Sequence, residues 1–243
     1  MLRIAIFIFL VSVDSTWRFA LAEEISVFNF SQHSIEKDPQ LIWHPVVFAK
    51  KENSTKYVLV RDGGSTVLKA IADNSISGLG RQLAIEPAKF PTLRWKWRIA
   101  ETNLRSDIRS KSGDDFPARV YVLFNINEDE LSFLDRAKLK LARYIYGDQV
   151  PGAAICYVWS HNEQKNAQSW NAFTDRVRMI VLRSSADNVG VWVQEERNIP
   201  SDFKKAFGIP VPEISGIILS SDSDNTDALS IAWYGDVTLH GPN

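Results

Sequence analysis

Arg94-Trp95-Lys96-Trp97-Arg98 sets two tryptophans and three cations on alternating positions. Successive side chains of a strand point to opposite faces. Trp95 and Trp97 therefore enter a core, while Arg94, Lys96 and Arg98 line the other side. The run demands a sheet with one dry face and one charged face, and the charged face is a first candidate ligand surface.

The same alternation recurs along the chain. Lys56 to Arg61 and Thr66 to Ala72 read as strands joined by the turn Asp62-Gly63-Gly64, where glycine reaches positive φ without strain. From Arg119 to Asn125, Val120, Val122 and Phe124 face one way, and Arg119, Tyr121, Leu123 and Asn125 face the other. Further runs begin at Val46, Gly78, Ile155, Arg176, Val191, Ile214 and Leu229. About eleven short strands separated by turn residues predict an all-β sandwich. One segment departs from the pattern. Leu131, Leu134, Lys138, Leu141 and Ile145 recur at helical spacing between Glu130 and Tyr146, which predicts one inserted amphipathic helix covering a sheet edge or docking a partner. Asp202 to Gly208 reads as a single helical turn.

Residues 1–22 carry the marks of a signal peptide: Arg3, an apolar run from Ile4 to Val13, and the small-x-small site Ala20-Leu21-Ala22 before Glu23. The run is shorter than the roughly 20 residues a membrane span needs; the alternative is a single uncleaved anchor. Residues 23–243 are then expected to form one sandwich domain, since 243 residues with 45% hydrophobic content suffice for one large core. Cys156 is the sole cysteine, so no internal disulfide can form, and its apolar surroundings predict an inert thiol. Export without disulfides points to a bacterial periplasm or exterior. A net charge of −1 supplies no bulk attraction for nucleic acid or anionic lipid.

Several stretches carry a resemblance. Pro91 to Trp97, Gly113-Asp114-Asp115-Phe116-Pro117-Ala118-Arg119-Val120, Tyr157-Val158-Trp159, Glu196-Arg197-Asn198-Ile199 with Asp202, and Asp222-Ser223-Asp224-Asn225-Thr226 resemble the bacterial family catalogued as domain of unknown function 3047. The Asp-Asp-Phe-Pro-Ala-Arg and Asp-x-Asp-Asn-Thr pieces are the most specific. Asp227 stands where the resemblance leads one to expect glycine. The family implies secreted bacterial proteins with a jelly-roll-like sandwich, and it implies no activity.

The candidate site residues follow from chemistry. Asp114 and Asp115 precede Arg119, and an Arg–Asp pair either grips sugar hydroxyls or braces loop against strand. Lys96, Arg98, Arg119 and Tyr121 are expected to converge with these carboxylates in one polar hollow. Tyr234, Asp236 and Thr238 are expected to share a strand face. Trp170, in the polar stretch Gln168-Ser169-Trp170-Asn171, is expected on a loop as an exposed stacking platform. Asp222, Asp224 and Asn225 offer alternating oxygens that suit calcium, or else cap their own turn; no other cofactor is indicated. Catalytic signatures are thin. Glu195 opposed by an aspartate would suit glycosidase chemistry, and His161 with Tyr157 or Tyr121 would suit a lyase. The preferred expectation is a periplasmic or secreted protein that binds a carbohydrate or cell-envelope component without turnover. A polysaccharide lyase or hydrolase, and a structural envelope protein, are the alternatives.

Overall fold

The computed structural model describes residues 23–48, 53–126, 152–184 and 188–242. The signal segment and the inserted helix expected over 130–146 lie outside the described residues. The chain opens with β1 (Glu24–Phe28), a short helix α1 (Pro39–Ile42) and β2 (His44–Val46). The hairpin of β3 (Lys56–Asp62) and β4 (Ser65–Asp73) follows, then β5 (Ile76–Ile85), β6 (Thr92–Ile99) and β7 (Arg119–Phe124). Next come β8 (Ala153–Trp159), β9 (Gln168–Asn171), β10 (Thr174–Arg183) and β11 (Val193–Asn198). Helix α2 (Ile199–Phe207), β12 (Ile214–Asp222) and β13 (Leu229–His240) complete it.

These strands form two sheets packed face to face. The first runs β11-β6-β13-β4-β3, and β1 extends it by pairing with the C-terminal half of β13. The second runs β2-β5-β12-β7-β8-β10-β9. All pairs are antiparallel except β8 with β10. The chain is therefore a β-sandwich, as the alternation requires.

The alternation sets the core. Trp95 and Trp97 of β6 meet Tyr157 and Trp159 of β8 across the sandwich, with centroids 5.5 and 5.8 Å apart. Burying such rings contributes about 1.5–3 kcal/mol each. Two core phenols are paired across the sheets. Tyr57 on β3 donates to the Ser77 carbonyl of β5 at 2.6 Å, and Tyr234 on β13 donates to the Ser220 carbonyl of β12 at 2.6 Å. A buried hydroxyl lacking such a partner would cost roughly 2–7 kcal/mol, so each bond fixes one sheet against the other.

Helix α2 closes one end of the core. It is longer than the single turn expected from sequence, because Asn198 caps its start by accepting from the Ser201 N–H and Gly208 ends it at φ 72°. Phe203 lies 4.4 Å from Phe124 between centroids. Arg197 on β11 donates both arms of its fork to Asp202, and Asp202 accepts from the buried Tyr157 hydroxyl. The helix is thus tied to both sheets.

The outer face of the second sheet is not the solvated surface that alternation alone suggests. The segment between β6 and β7 folds over it, and Ile108 and Phe116 cover Tyr121, Cys156, Val158, Met179 and Ile218. Cys156 is fully buried there, and burial pushes its thiol up to about 12 from 9.0. Burial therefore keeps it in the unreactive thiol form at neutral pH. We expect an aromatic disulfide reagent at pH 8 to leave the native protein unlabelled and to label it fully in guanidinium. Prompt labelling under native conditions would contradict the covered face.

Candidate functional site

The two most specific motif pieces bind each other. Pro117 biases Phe116 towards extended backbone and delivers Arg119 to the start of β7, beside the end of β12. Arg119 Nε donates to Asp222 Oδ1 at 2.8 Å, and its Nη2 donates to Asp222 Oδ2. The same guanidinium donates to Asp114 at 3.1 Å and to the Tyr121 hydroxyl at 3.2 Å, and it stacks 4.7 Å from the Phe116 ring. Asp115 accepts from the Thr226 N–H and hydroxyl, both at 2.6 Å, and from the Asn225 N–H at 2.9 Å. Arg119 is 2% exposed, and Asp115 and Asp222 are fully buried. Burial acts to lower the guanidinium pKa, but Asp114 and Asp222 outweigh it and hold Arg119 well above its ordinary value. Burial pushes the Asp222 carboxyl up, against the pull of Arg119.

This geometry revises several expectations. Arg119, Asp114, Asp115 and Tyr121 form an interior brace between the covering segment and the ends of β7 and β12. They do not share a hollow with Lys96 and Arg98. Val120 and Val122 point inward from the second sheet and Trp95 and Trp97 inward from the first, so Arg119 and Lys96 stand on opposite outer faces of the sandwich. Asp115, Asp222 and Asp224 do bring carboxylate oxygens within 4.8 Å of one another. Both oxygens of Asp222 are engaged, by the Arg119 fork and by the Phe116 N–H at 2.9 Å, while the Asn225–Thr226 turn occupies Asp115. Arg119 thus already pairs with Asp222, one of the carboxylates that the calcium expectation named. Asn225 closes the turn through its backbone and side-chain amide.

Other candidates are engaged by neighbouring side chains. Trp170 lies on strand β9, not on a loop; it packs edge-on against Phe207 at 5.3 Å and beneath Arg178 at 5.0 Å, and remains 37% exposed. Glu195 faces inward, accepts from Trp97 Nε1 at 3.0 Å and from Arg183 Nε at 2.6 Å, and stands opposite Trp95 across the strands. Tyr157 is buried on the inner face with its phenol pushed well above its ordinary pKa by burial, so it cannot join His161, whose ring bonds Thr102 at 2.8 Å.

A cleft lies on the outer face of the first sheet, where Arg94, Lys96 and Arg98 do line one side as β6 requires. A bulge in β13 makes it. Tyr234 pairs with Trp97 and Val237 with Trp95, so β13 holds one extra residue there. The bulge turns Tyr234 inward while Thr238 faces out, which separates residues the alternation grouped together. Gly235 forms the floor: a Cβ there would meet Lys96 Cε at 2.4 Å and Cγ at 2.5 Å, so the lysine stem lies in the space a side chain would fill. The resulting cleft holds about 420 Å³ and is lined by Lys96, Arg94, Gln194, Asp236, Thr238 and His240, among others.

Two tryptophans outside the sequence-based selection hold the cations beside it. Lys96 Nζ lies 5.1 Å from the Trp192 ring, and the Arg98 guanidinium lies 5.2 Å from Trp192 and 4.2 Å from Trp233. Arg98 also pairs with Asp62, and Arg94 with Glu196 at 2.7 Å. Asp236 accepts from the N–H of Ser31 at 2.9 Å and from its hydroxyl. The glycine interrupting the β13 pattern was the sequence signal for this trough, since an isolated glycine in a strand marks a bulge or a close approach.

The protein is thus a two-sheet β-sandwich with an ionic brace on one side and a polar cleft on the other. The model of the family described as "Protein of unknown function (DUF3047)" matches residues 42–238, and the chain belongs to that family. No curated protein matches it in sequence. Among solved structures it is similar to "Cellulose induced protein, Cip1", at 13% identity over 82% of this chain and 90% of that one, with a TM-score of 0.34. It is also similar to the Trichoderma harzianum Endoglucanase 3 of family GH12, at 13% identity over 91% and 95%, with a TM-score of 0.32.

Removing Arg119 leaves Asp114 and Asp222 buried without their cation, which costs about 3–5 kcal/mol. We expect Arg119→Ala to lower the melting temperature by at least about 6 °C, read by circular dichroism; an unchanged melt would refute the brace. Asp227 holds φ 49°, a left-handed conformation that costs a residue with a Cβ about 1–2 kcal/mol. Asp227→Gly should therefore raise the melting temperature by about 2–8 °C, and a fall would show that the Asp227 side chain contributes more than its backbone strain costs.

Proposed function

We propose that this protein binds a carbohydrate or another hydroxyl-rich cell-envelope component in the cleft over β6, β13 and β11, in the periplasm or outside a bacterial cell. The observation that carries the reading is the set of polar side chains left available there. Gln194 and Lys96 are exposed, and among the described residues neither has a hydrogen-bonding or carboxylate partner. The sequence-based candidates on the second sheet spend their polar atoms on one another. The cleft offers amide, hydroxyl and ammonium groups together, which is the mixture that hydroxyl-rich ligands pair with.

Binding without turnover is favoured over hydrolysis by the carboxylates present. Two-carboxylate hydrolysis needs an acid and a base or nucleophile flanking one bond. Among the described residues lining the cleft, Asp236 is the one carboxylate, and Ser31 holds it. The apolar run after Arg3 and the Ala20-Leu21-Ala22 site support export.

A glycan array probed with the purified protein tests the reading. We expect at least one bound glycan, and a loss of about fivefold in affinity in Gln194→Ala, the worth of one neutral hydrogen bond. The melting temperature should not change. An array without binding, or binding indifferent to both Gln194→Ala and Thr238→Val, would remove the cleft from this role.

A further inference from the structure

We infer that the cleft takes an acidic sugar, whose carboxylate is received by the Lys96 ammonium; the inference rests on the carbohydrate reading above. Among the described residues, Arg94, Lys96, Arg98 and Lys69 stand on the outer face of the first sheet near the cleft, and they differ in how their charge is met. Glu196 answers Arg94 at 2.7 Å, and Asp62 answers Arg98. Among the described residues no carboxylate lies within 4 Å of Lys96 Nζ or of Lys69 Nζ, and each of these sits over an indole instead, Lys96 over Trp192 at 5.1 Å and Lys69 over Trp233 at 5.4 Å. An indole face attracts an ammonium without cancelling its charge.

The Lys96 ammonium is also placed rather than loose. Its stem rests on Gly235 and its head on Trp192. A flexible lysine ordinarily gives up considerable rotamer freedom when it binds; here contact on two sides has already restricted it. The one carboxylate lining the cleft, Asp236, is turned to the Ser31 N–H and hydroxyl, which stabilise its charge without involving Lys96. A ligand anion thus meets an uncompensated, positioned cation beside the free amide of Gln194. The free amide of Gln194 suits the ring hydroxyls, and the ammonium suits a carboxylate on the same ring. Lys69, beyond Trp233, continues the uncompensated charge along the sheet and fits a polymer in which carboxylates repeat.

The test measures affinity for a panel of acidic polysaccharides (polygalacturonate, alginate and a polyglucuronate), each alongside the same polymer with its carboxylates reduced to alcohols. We expect at least one acidic polymer to bind tenfold or more tightly than its reduced form. That preference should vanish in Lys96→Met, shrink as salt rises, and return in part in Lys96→Arg. Equal affinity for acidic and reduced forms would overturn this inference while leaving carbohydrate binding intact. An acidic preference that survives Lys96→Met would overturn it too. If no polymer binds in either form, the inference falls together with the reading on which it rests.

Discussion

The fork between Arg119 and Asp222 is the contact on which the second sheet and its cover depend. It joins residues 103 positions apart in sequence and holds the covering segment down through Asp114. A guanidinium in an apolar interior is tolerated only when its donors are matched, and here Asp222, Asp114, Tyr121 and the Phe116 ring surround it. With that charge met, Ile108 and Phe116 can pack on Cys156 and Ile218, and the central strands β7 and β8 are buried on both faces. The matching turn at Asn225 and Thr226 is held in the same manner by Asp115. Two motifs that read as separate ligand sites are one internal joint.

Two further joints use the same chemistry. Arg197, Asp202 and Tyr157 link β11, α2 and β8, and Arg183 with Glu195 and Trp97 links β10, β11 and β6. In each case an arginine of one element meets a carboxylate that also accepts from an aromatic group in the core. Arginine suits this use because its planar fork satisfies two carboxylate oxygens at once. The polar motifs of the chain therefore report largely on how the sheets are fastened.

Much of the fold was legible from alternation alone. Trp95 and Trp97, Val120 and Val122, and the Asp62-Gly63-Gly64 hairpin stand where period and turn chemistry put them. The site was less legible, for two physical reasons. Alternation says which residues share a face and is silent on what lies over that face, so Arg119 and Tyr121 read as exposed when the segment leading into β7 folds back and buries them. A one-residue bulge reverses the alternation beyond it, so Tyr234 and Thr238 part company. Strand β9 escaped notice because Gln168-Ser169-Trp170-Asn171 is an edge strand, half exposed and polar, with little periodic signal. Trp192 and Trp233 are the members of the site that only packing reveals, since their role is to seat a neighbour's charge.

The bare backbone at Gly235 leaves the cleft with an unusual form of control. The height at which the ammonium stands above the sheet is governed from beneath, by the backbone position that forms the cleft floor. A single added carbon at that point would lift or swing the charged tip while leaving every other group on the surface as it was. Reach and selectivity are thereby uncoupled from the identity of the charge, and related chains have a route to new ligands that leaves the fastened interior alone.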